Sequence, residues 1–407
     1  MGAYAGPDVS ENGLVLALDG ANYKSFKGEA TTNEIVSVTW WGDGSNQSSF
    51  VKGSVLITDE NLKYNGYETY LWSPGTSNNC YLNGGDLSTG RTSTVWTFSC
   101  YIKRQDGAPI TSLNVYMYYP SGDGSATGTI QDVGNGWYRV SRTRTGTNNY
   151  LSLIGFTGFV TGYKYYLSGA QLEKKSYPTT VVATNATRGT TVATGGGWAD
   201  LTGNGNHGAL VNGVRESSDN LGALVFDGTD DKISVNASSF TNLSNGNFTI
   251  SSWFYIPTSV DTTNLYYWIF AIGTSSGASN TWYLRVWRSG IAAGCLFTRI
   301  NDIVLLGTDG DLNASYPGDY YKASGRWTHF TFVENNGTSY YYMNGVQTGS
   351  ASTPTIPSGN NYITIGDMST DQSPNGMIVS NFSLYQKALT PSEIQQNFNA
   401  TRGRFDI

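Results

Sequence analysis

Short runs of aromatic and β-branched residues recur along this chain, and turn-forming residues interrupt them at short intervals. Glycine accounts for 50 of the 407 residues and tyrosine for 28, whereas charged residues make up only 13%. Aromatic and β-branched side chains favour strands, and Gly, Asn and Asp tolerate the backbone angles of tight turns. The pattern therefore predicts an all-β chain of many short antiparallel strands and argues against long helices.

Charge and length restrict the partners and the number of domains. The net charge is -6, and the Lys and Arg residues form no cluster that could neutralise a row of phosphates. We therefore expect no nucleic-acid partner. The N-terminal sequence MGAYAGPDVSENG lacks the basic and apolar regions of a signal peptide, and no stretch approaches the roughly 20 apolar residues of a membrane span. We expect a chain made in the cytoplasm, without membrane insertion, that has room for two domains.

Three segments that are separated in the sequence together resemble the pattern of one protein family. They are residues 12–26 (NGLVLALDGANYKSF), residues 196–214 (GGWADLTGNGNHGALVNGV) and residues 224–235 (LVFDGTDDKISV). A strand with Asp, a W-x-D-L-[ST]-G-N-G-N-x-G loop and an L-x-F-D-G-x-D-D strand resemble the start of a concanavalin A-like, laminin-G-type jelly roll. In that family the three pieces lie close together, but here about 170 residues separate the first two. We therefore interpret the intervening stretch as an inserted domain.

The predicted organisation has two antiparallel β-sandwich domains of the jelly-roll type, the first inserted into the second, and one short C-terminal helix. The predicted boundaries are an N-terminal arm over 1–11, a discontinuous sandwich over 12–28 and 196–407, an inserted sandwich over 29–190 and a return linker over 181–197. An insertion requires that Leu14 to Leu18 pair with a strand of the C-terminal sandwich. It also requires that the two ends of the insert lie close together.

The insert contains four clear strand predictions, at residues 95–104, 113–119, 137–143 and 163–172. In the first of them, the side chains of Trp96, Phe98, Cys100 and Ile102 alternate with those of Thr97, Ser99 and Tyr101, and this two-residue period predicts a strand with a buried face. Residues 134–141 (GNGWYRVS) and 165–180 (YYLSGAQLEKKSYPTT) resemble the closing strands of the carbohydrate-binding-module-like jelly rolls of phage structural proteins. The resemblance implies a second jelly roll and a role in a phage particle.

Aromatic residues early in the insert are candidates for a sugar-binding platform. They are Trp40, Trp41, Tyr64, Tyr67, Tyr70 and Trp72. Aromatic rings can stack on sugars, but they also supply much of the buried area of a sandwich core. Glycan binding and core packing therefore stay open as alternatives, and the individual glycan-binding residues are unknown.

The C-terminal half contains seven more strand predictions, at residues 248–256, 266–273, 283–288, 327–334, 339–343, 362–366 and 377–386. Asn344 and Gly345 after the fifth strand are a two-residue hairpin signal. Two segments of this half also resemble the laminin-G-type family. The family's W-x-H…Y-x-N-G hairpin is matched by RWTHFTFVENNGTSYYYMNGVQTG, and its A-L-[ST]-x-x-E-I ending is matched by ITIGDMSTDQSPNGMIVSNFSLYQKALTPSEIQQNF.

The single predicted helix begins after Thr390. Thr390 is an N-cap, Pro391 fits the first helical position, and Glu393 completes a capping box. Leu389 and Ile394 can pack together as a hydrophobic staple. The ending ALTPSEIQQNFNATRGRF also resembles that of phage virion proteins with this fold.

Catalytic patterns are missing from the sequence. Glycosidases with a concanavalin-like sandwich carry two carboxylates in an E-x-D-x-x-E or similar motif, because alternate strand residues project into one cleft. No such motif occurs, and Asp59 and Glu60 are adjacent. The two histidines, His207 and His329, are far apart in sequence, and no G-x-S-x-G elbow supports a Ser-His-Asp triad. We predict no catalytic residue and no enzymatic activity.

Calcium is the best cofactor candidate, although neither a cofactor nor a metal site is assigned. Two clusters offer oxygen ligands, the first formed by Asp309, Asp311 and Asn313 and the second by Asp227, Asp230 and Asp231. The first lacks the glycine and the bidentate glutamate of an EF-hand. Aspartates next to glycines are also common turn formers, which is the alternative interpretation of both clusters. The three cysteines, Cys80, Cys100 and Cys295, show no zinc spacing; a Cys80–Cys100 bridge and buried free thiols are the alternatives.

Three functions are compatible with these observations. The first is a virion surface structural protein of a tailed bacteriophage, either a capsid decoration or a head fibre or short appendage, with adhesion to glycans or the host surface. A tail fibre or baseplate receptor-binding subunit is a variant of it. The others are a polysaccharide-degrading enzyme, which the missing carboxylate pair disfavours, and a bacterial lectin or adhesin, which the missing export signal disfavours.

We expect the first function, with localisation on the virion. The expected partners are other virion proteins of the capsid or tail and a cell-surface glycan, and we expect a homo-oligomer or a multi-copy arrangement. No heptad or shaft repeat of a long fibre occurs, which favours a capsid-bound or short appendage. Residues 1–10 are then a candidate docking peptide.

Overall fold

The computed structural model describes residues 8–35, 39–42, 55–57, 62–74, 79–83, 93–119, 123–146, 153–217, 221–236, 243, 246–258, 266–273, 282–287, 296–300, 303–306, 323–353, 362–366 and 373–407. Most of these residues form antiparallel β-sheets, and the described part of the chain contains one α-helix, close to the C-terminus. The all-β fold class is confirmed. None of the helices found in the described ranges is long and apolar enough to cross a membrane.

The strands have the following bounds in chain order. The first fourteen are β1 (Leu14–Asp19), β2 (Thr31–Thr32), β3 (Thr39–Gly42), β4 (Val55–Ile57), β5 (Thr69–Trp72), β6 (Asn79–Asn83), β7 (Val95–Arg104), β8 (Asn114–Tyr119), β9 (Asp123–Thr127), β10 (Thr129–Gly134), β11 (Trp137–Thr145), β12 (Leu153–Thr157), β13 (Tyr165–Glu173) and β14 (Thr187–Arg188). The others are β15 (Gly208–Val211), β16 (Arg215–Ser217), β17 (Ala223–Phe226), β18 (Lys232–Asn236), β19 (Phe248–Tyr255), β20 (Tyr266–Gly273), β21 (Trp282–Trp287), β22 (Leu296–Ile300), β23 (Ile303–Leu306), β24 (Trp327–Asn335), β25 (Thr338–Met343), β26 (Val346–Ser352), β27 (Tyr362–Gly366) and β28 (Met377–Tyr385). The α-helix α1 spans Pro391–Thr401, and two 3-10 turns span Val192–Thr194 and Arg402–Arg404.

The chain divides into two compact units. Met1–Ala30 and Gly189–Ile407 form one of them, called the C-terminal unit below, and Thr31–Arg188 form the other, called the middle unit. The middle unit begins with β2 and ends with β14, and these two strands pair with each other. Its two ends therefore lie side by side, which is the geometry that an exposed turn of a parent domain can accommodate.

Two antiparallel sheets form the C-terminal unit. One has the order β16-β17-β28-β19-β24-β25-β26, with β1 also paired to β28, and the other has the order β15-β18-β27-β20-β21-β22-β23. Aromatic rings from the two sheets meet in one hydrophobic core, where the Phe270 and Phe382 centroids lie 5.2 Å apart and those of Trp282 and Phe332 lie 4.7 Å apart. This is the packing of a β-sandwich, in which the inner faces of two sheets bury their apolar side chains against each other.

The opening strand β1 joins this sandwich through β28. It pairs with Asn381 to Tyr385, while β17 pairs with Met377 to Val379. Because β19 pairs with the opposite edge of β28 along its length, β1 and β17 share the remaining edge. The predicted pairing of Leu14 to Leu18 with a strand of the C-terminal sandwich is confirmed.

The Gly/Asn loop holds β1 in place. The side-chain amides of Asn204 and Asn206 donate to the Val15 carbonyl at 3.1 and 2.9 Å, and the Asp200 carboxylate accepts from the Ala17 amide at 3.1 Å. Gly203 within this loop has a φ of +84°, which glycine adopts without steric cost. The W-x-D-L-T-G-N-G-N motif thus satisfies backbone groups of a strand that precedes it by more than 180 residues.

Two further sheets form the middle unit. Their orders are β10-β11-β7-β13-β5-β4 and β3-β6-β12-β8-β9, and Phe98 of β7 contacts Phe156 of β12 across the core at 5.4 Å. The predicted buried face of β7 is confirmed, and Thr97, Ser99 and Tyr101 on its other face are buried as well. Arg139 donates to the Ser99 hydroxyl at 3.0 Å, so burial of this face is matched by hydrogen bonding.

The local predictions agree with the observed elements to within a few residues. Each of the eleven predicted strands occurs, and the bounds of β7, β20 and β27 match those predicted. Thr390 caps α1, and its hydroxyl and the Glu393 carboxylate form the expected capping box. Asn344 and Gly345 both have positive φ, as a two-residue hairpin turn requires. Tyr163 was expected to open β13, but it precedes that strand.

Other predictions fall near the ends of the units. In the sequence, the boundaries between the two compact units lie at Ala30–Thr31 and at Arg188–Gly189. The predicted domain boundaries at residues 28, 190 and 196 stay a prediction. Most of the predicted N-terminal arm, residues 1–7, lies outside the described residues. Ser10 at its end donates its backbone N–H to the Asn397 side chain on α1 at 2.7 Å.

The two described cysteines are free thiols. Cys80 and Cys100 are both buried and form no bridge, so the disulfide alternative is wrong for this pair. Burial raises the pKa of the Cys80 thiol well above its ordinary value, which keeps it protonated and unreactive. Cys295 lies outside the described residues.

Candidate functional site

A cleft of about 260 Å³ opens on the middle unit beside β5 and β13. Residues 66–68, 70, 168–170 and 182–184 line it. Two tyrosines, Tyr67 and Tyr70, stand on one wall together with the exposed carboxylate of Glu68. A large apolar face combined with a few polar groups is the usual composition of a small-molecule site, and this volume is close to the lower end of such sites, about 300 Å³.

Hydrogen bonds fix the two tyrosine rings. The Tyr67 hydroxyl donates to the Val181 carbonyl at 2.6 Å, and the Tyr70 hydroxyl donates to Oε2 of Glu68 at 2.8 Å. Burial, reinforced by the neighbouring Glu68, raises the pKa of Tyr70 above its ordinary value, so this phenol keeps its proton and remains a donor. Both tyrosine hydroxyls are therefore engaged by partners within the protein.

A β-bulge in β13 shapes the floor of the cleft. The register between β13 and β7 shifts between Ser168 and Gln171, and Gly169 there has a φ of +58°. A Cβ atom added at Gly169 would lie 3.2 Å from the Tyr101 ring and 3.3 Å from Cγ1 of Val181. Bulges commonly re-aim a strand next to a binding site, and glycine is the residue that fits this one.

A buried polar network positions the opposite wall. Gln171 accepts from the Val182 amide at 2.7 Å and donates to the Glu173 carboxylate at 2.8 Å. The same carboxylate accepts from the Thr179 amide at 2.9 Å and from the Thr31 hydroxyl at 2.8 Å. These bonds hold the segment that contains residues 182–184, and they give the G-A-Q-L-E motif a structural role.

The predicted aromatic platform separates into three groups. Tyr67 and Tyr70 line the cleft. Trp72 belongs to the hydrophobic core, and Tyr64 packs on Tyr101 with ring centroids 4.2 Å apart. The side chains of Trp40 and Trp41, on β3, lie outside the described residues.

Sequence reasoning missed the other lining residues of the cleft. Glu68, Ser168 and the segment 182–184 were not singled out, because a carboxylate between tyrosines and a Val-Ala-Thr segment carry no motif. The turn residue Gly66, with a φ of +78°, and the S-G-A bulge were the available signals for a surface concavity beside the tyrosines.

The two histidines have structural environments. His329 on β24 is 3% exposed, and its Nε2 lies 2.8 Å from the Ser251 hydroxyl. Burial lowers the pKa of His329 to about 3, so the ring stays neutral. Both members of this Ser–His pair are buried, and the histidine ring packs against Trp253. His207 accepts at Nδ1 from the Asp200 amide at 3.1 Å, within the loop that holds β1.

The second acidic cluster comes together in the C-terminal unit. One carboxylate oxygen from each of Asp227, Asp230 and Asp231 lies within 4.8 Å of the others. Asp231 is buried, and burial raises the pKa of its carboxyl to about 6, with further contributions from the charges of Asp227 and Asp230. The first acidic cluster, around Asp309, lies outside the described residues.

Comparison with known proteins gives one family match and several distant structural similarities. Residues 227–395 match the family model described as the concanavalin A-like lectin/glucanases superfamily. None of the curated proteins matches this chain.

The similar solved structures include toxin binding domains. They include the ligand-binding domain of botulinum neurotoxin serotype D in complex with N-acetylneuraminic acid (18% identity, TM-score 0.38, 50% of this chain and 48% of that chain) and the binding domain of Paraclostridial Mosquitocidal Protein 1 (22% identity, TM-score 0.39, 50% and 49%). The receptor-binding domain of botulinum neurotoxin type G is another (15% identity, TM-score 0.35, 49% and 48%). This chain spans about half the length of each. The family match extends from the end of β17 into α1, so it lies within the C-terminal unit, whose two antiparallel sheets form the β-sandwich described above.

Proposed function

We propose that this protein is a non-enzymatic structural protein on the surface of a tailed-bacteriophage virion, as a capsid decoration or a head fibre or short appendage, and that it binds glycans. The resemblance of both halves of the sequence to phage structural jelly rolls supports the virion role. The match of residues 227–395 to a superfamily that includes lectins supports the binding role. The observation that carries glycan binding is the tyrosine-lined cleft of the middle unit.

The chemistry of the cleft suits a sugar ring. Tyr67 and Tyr70 offer aromatic surface to the apolar face of a sugar, and their hydroxyls are already engaged within the protein. Because Tyr70 engages Oε2 of Glu68, the other carboxylate oxygen remains as an acceptor for sugar hydroxyls. The ligand we infer is therefore a neutral glycan with vicinal hydroxyls, bound through one or two rings.

The composition of the cleft supports binding rather than hydrolysis. Glycosidases need two carboxyl groups flanking the scissile bond, about 5 to 9.5 Å apart. Glu68 is the one acidic residue among those that line the cleft in the described part of the chain. A polysaccharide-degrading enzyme remains the alternative that a reducing-sugar release assay decides, and a bacterial lectin or adhesin would share the cleft chemistry.

A glycan array probed with the full chain tests the binding proposal. Tyr70→Ala removes an aromatic wall and Glu68→Gln removes the carboxylate acceptor, so we expect each variant to weaken binding about tenfold or more, which corresponds to about 1.4 kcal/mol. Tyr163→Ala is the matched control, since this tyrosine is exposed on the same unit outside the cleft. Binding by both cleft variants at the wild-type level would contradict the proposal, as would an array without any bound glycan.

A further inference from the structure

We propose that a polar groove on the middle unit, lined by residues of β9, β10 and β11 and by residues 176–178, is a second sugar subsite, and that the ligand is therefore a glycan chain of several residues. The inference rests on the proposed glycan binding and deepens it. The groove encloses about 610 Å³, which falls in the usual range of ligand sites, about 300 to 1,000 Å³. None of the described residues lines both the groove and the cleft.

Two neighbouring strands bring polar side chains to one face of the sheet. Thr129 on β10 pairs with Ser141 on β11. Because alternate residues of a strand point to the same face, Gln131 shares the face of Thr129, and Thr143 shares the face of Ser141. The hydroxyl and amide side chains that line the groove are those of Thr127, Thr129, Gln131, Ser141, Thr143 and Ser176. These groups both donate and accept hydrogen bonds, as sugar hydroxyls do.

Some of these groups are available to a ligand. The side chains of Thr129 and Gln131 are exposed, and neither makes a hydrogen bond with another described residue. A sugar hydroxyl that binds there replaces water and breaks no bond within the described part of the protein. The gain per hydrogen bond is small, so several such contacts are needed for measurable binding.

The charge of the groove favours a neutral ligand. Arg142 is the one charged residue among the described residues that line it. Its guanidinium donates to the carbonyls of Val115 and Gly124 at 3.0 and 2.8 Å, so these bonds direct it toward other strands. The groove therefore offers hydroxyls and an amide, which suit a polyhydroxylated neutral chain, as the cleft does.

The segment at residues 176–178 forms a fixed wall. The Thr143 hydroxyl donates to the Ser176 carbonyl at 3.1 Å, and the Thr97 hydroxyl donates to the Lys175 carbonyl at 2.8 Å. Tyr177 and Pro178 on this wall are half-buried and add apolar surface to the groove. A site of this kind is formed before the ligand arrives, which reduces the entropy lost on binding.

One continuous segment separates the groove from the cleft. Residues 176–178 line the groove, and residues 182–184 line the cleft. Pro178 and Val182 are four residues apart, so their backbones are separated by at most about 14 Å. A glycan chain of several residues spans this distance. Once one part of the chain occupies the cleft, its next residues reach a high local concentration at the groove, where weak contacts then add affinity.

An array that carries each neutral glycan in a two-residue and a six-residue form, probed with the full chain, tests the inference. We expect wild type to bind the six-residue form about tenfold or more tightly than the two-residue form. The double variant Thr129→Val and Gln131→Leu removes two polar groups at nearly constant size. It should weaken binding of the six-residue form about tenfold and leave the two-residue form, which the cleft binds, unchanged.

Two further variants separate the groove from the cleft. Thr145→Val is the matched control, since this threonine is exposed on β11 outside the groove, and it should bind both forms as wild type does. Tyr70→Ala, in the cleft, should weaken binding of both forms. Because Thr129 and Gln131 are exposed, the double variant should keep the wild-type Tm, and Thr129→Val alone should show a smaller loss in the same direction.

The outcomes distinguish this inference from the proposed function. Wild-type binding of the six-residue form by the double variant overturns the groove, as does equal binding of both forms by wild type. If Tyr70→Ala loses binding in either case, the cleft proposal stands and the second subsite alone is wrong. An array without any bound glycan overturns both.

Discussion

His329 lies in the middle of β24 and illustrates how burial alone determines the behaviour of a residue. Its ring contacts Trp253 and Phe398, with centroids 5.0 and 5.7 Å apart, and its Nε2 bonds with Ser251. A histidine in a protein sequence suggests acid–base chemistry, because its ordinary pKa is close to neutrality. Here burial lowers that pKa to about 3, and the residue serves as a neutral core side chain.

The stability of the protein should therefore decrease on acidification through His329. Between the ordinary pKa of about 6.5 and the folded-state pKa of about 3, the unfolded chain binds a proton that the folded chain does not, so stability falls as pH falls. We expect wild type to exceed His329→Gln in Tm at pH 7 and to lose part of this advantage at pH 4. The measurement is calorimetry of both proteins across that range, and a Tm difference independent of pH would contradict the assignment.

At the scale of elements, the position of β1 depends on a loop that comes after the whole middle unit in the sequence. The Asp200 carboxylate accepts from the backbone amides of Ala17, Thr202 and Asn206 at 3.1, 3.0 and 3.2 Å. It is buried, so its removal leaves three amide groups without their acceptor. The Asp200 loop therefore stabilises β1 through hydrogen bonds to a buried carboxylate.

Asp200→Ala should release β1 and destabilise the C-terminal unit by about 2 to 4 kcal/mol, because hydrogen bonds to a buried charged acceptor are stronger than neutral ones. Hydrogen–deuterium exchange should show faster exchange at Leu16 and Leu18. Asp132→Ala is the matched control, since that aspartate accepts one amide in an exposed turn, and it should cost less than about 1 kcal/mol. Unchanged exchange in β1 of Asp200→Ala would rule out this role of the loop.

Strands and turns could be predicted from the sequence far better than the cleft. Period-two alternation and Asn-Gly turns are local signals, so the hairpin around Asn344 and the cap at Thr390 were accessible to sequence reasoning. The burial of both faces of β7 depends on Arg139 from another strand, and no local pattern reports it. The cleft likewise joins residues around Tyr67 to residues around Ser168, which are a hundred positions apart. Only the folded topology brings such residues together.

At the scale of the whole molecule, the chain contains two compact units, each with a hydrophobic core of its own. The cleft belongs to the middle unit, and the acidic cluster and the family match belong to the C-terminal unit. Separate cores allow one unit to carry a binding surface while the other serves as a scaffold, which is compatible with the virion surface protein that we propose.

Immunogold labelling of intact particles tests that central claim most directly. The antibody is raised against the purified full chain, and the particles are those of a phage whose genome encodes it, with pre-immune serum as the control. The virion proposal predicts gold on the outer surface of the head; gold confined to the tail would replace a capsid decoration with a receptor-binding subunit. Intact particles that carry no more gold than the pre-immune control would contradict the proposal.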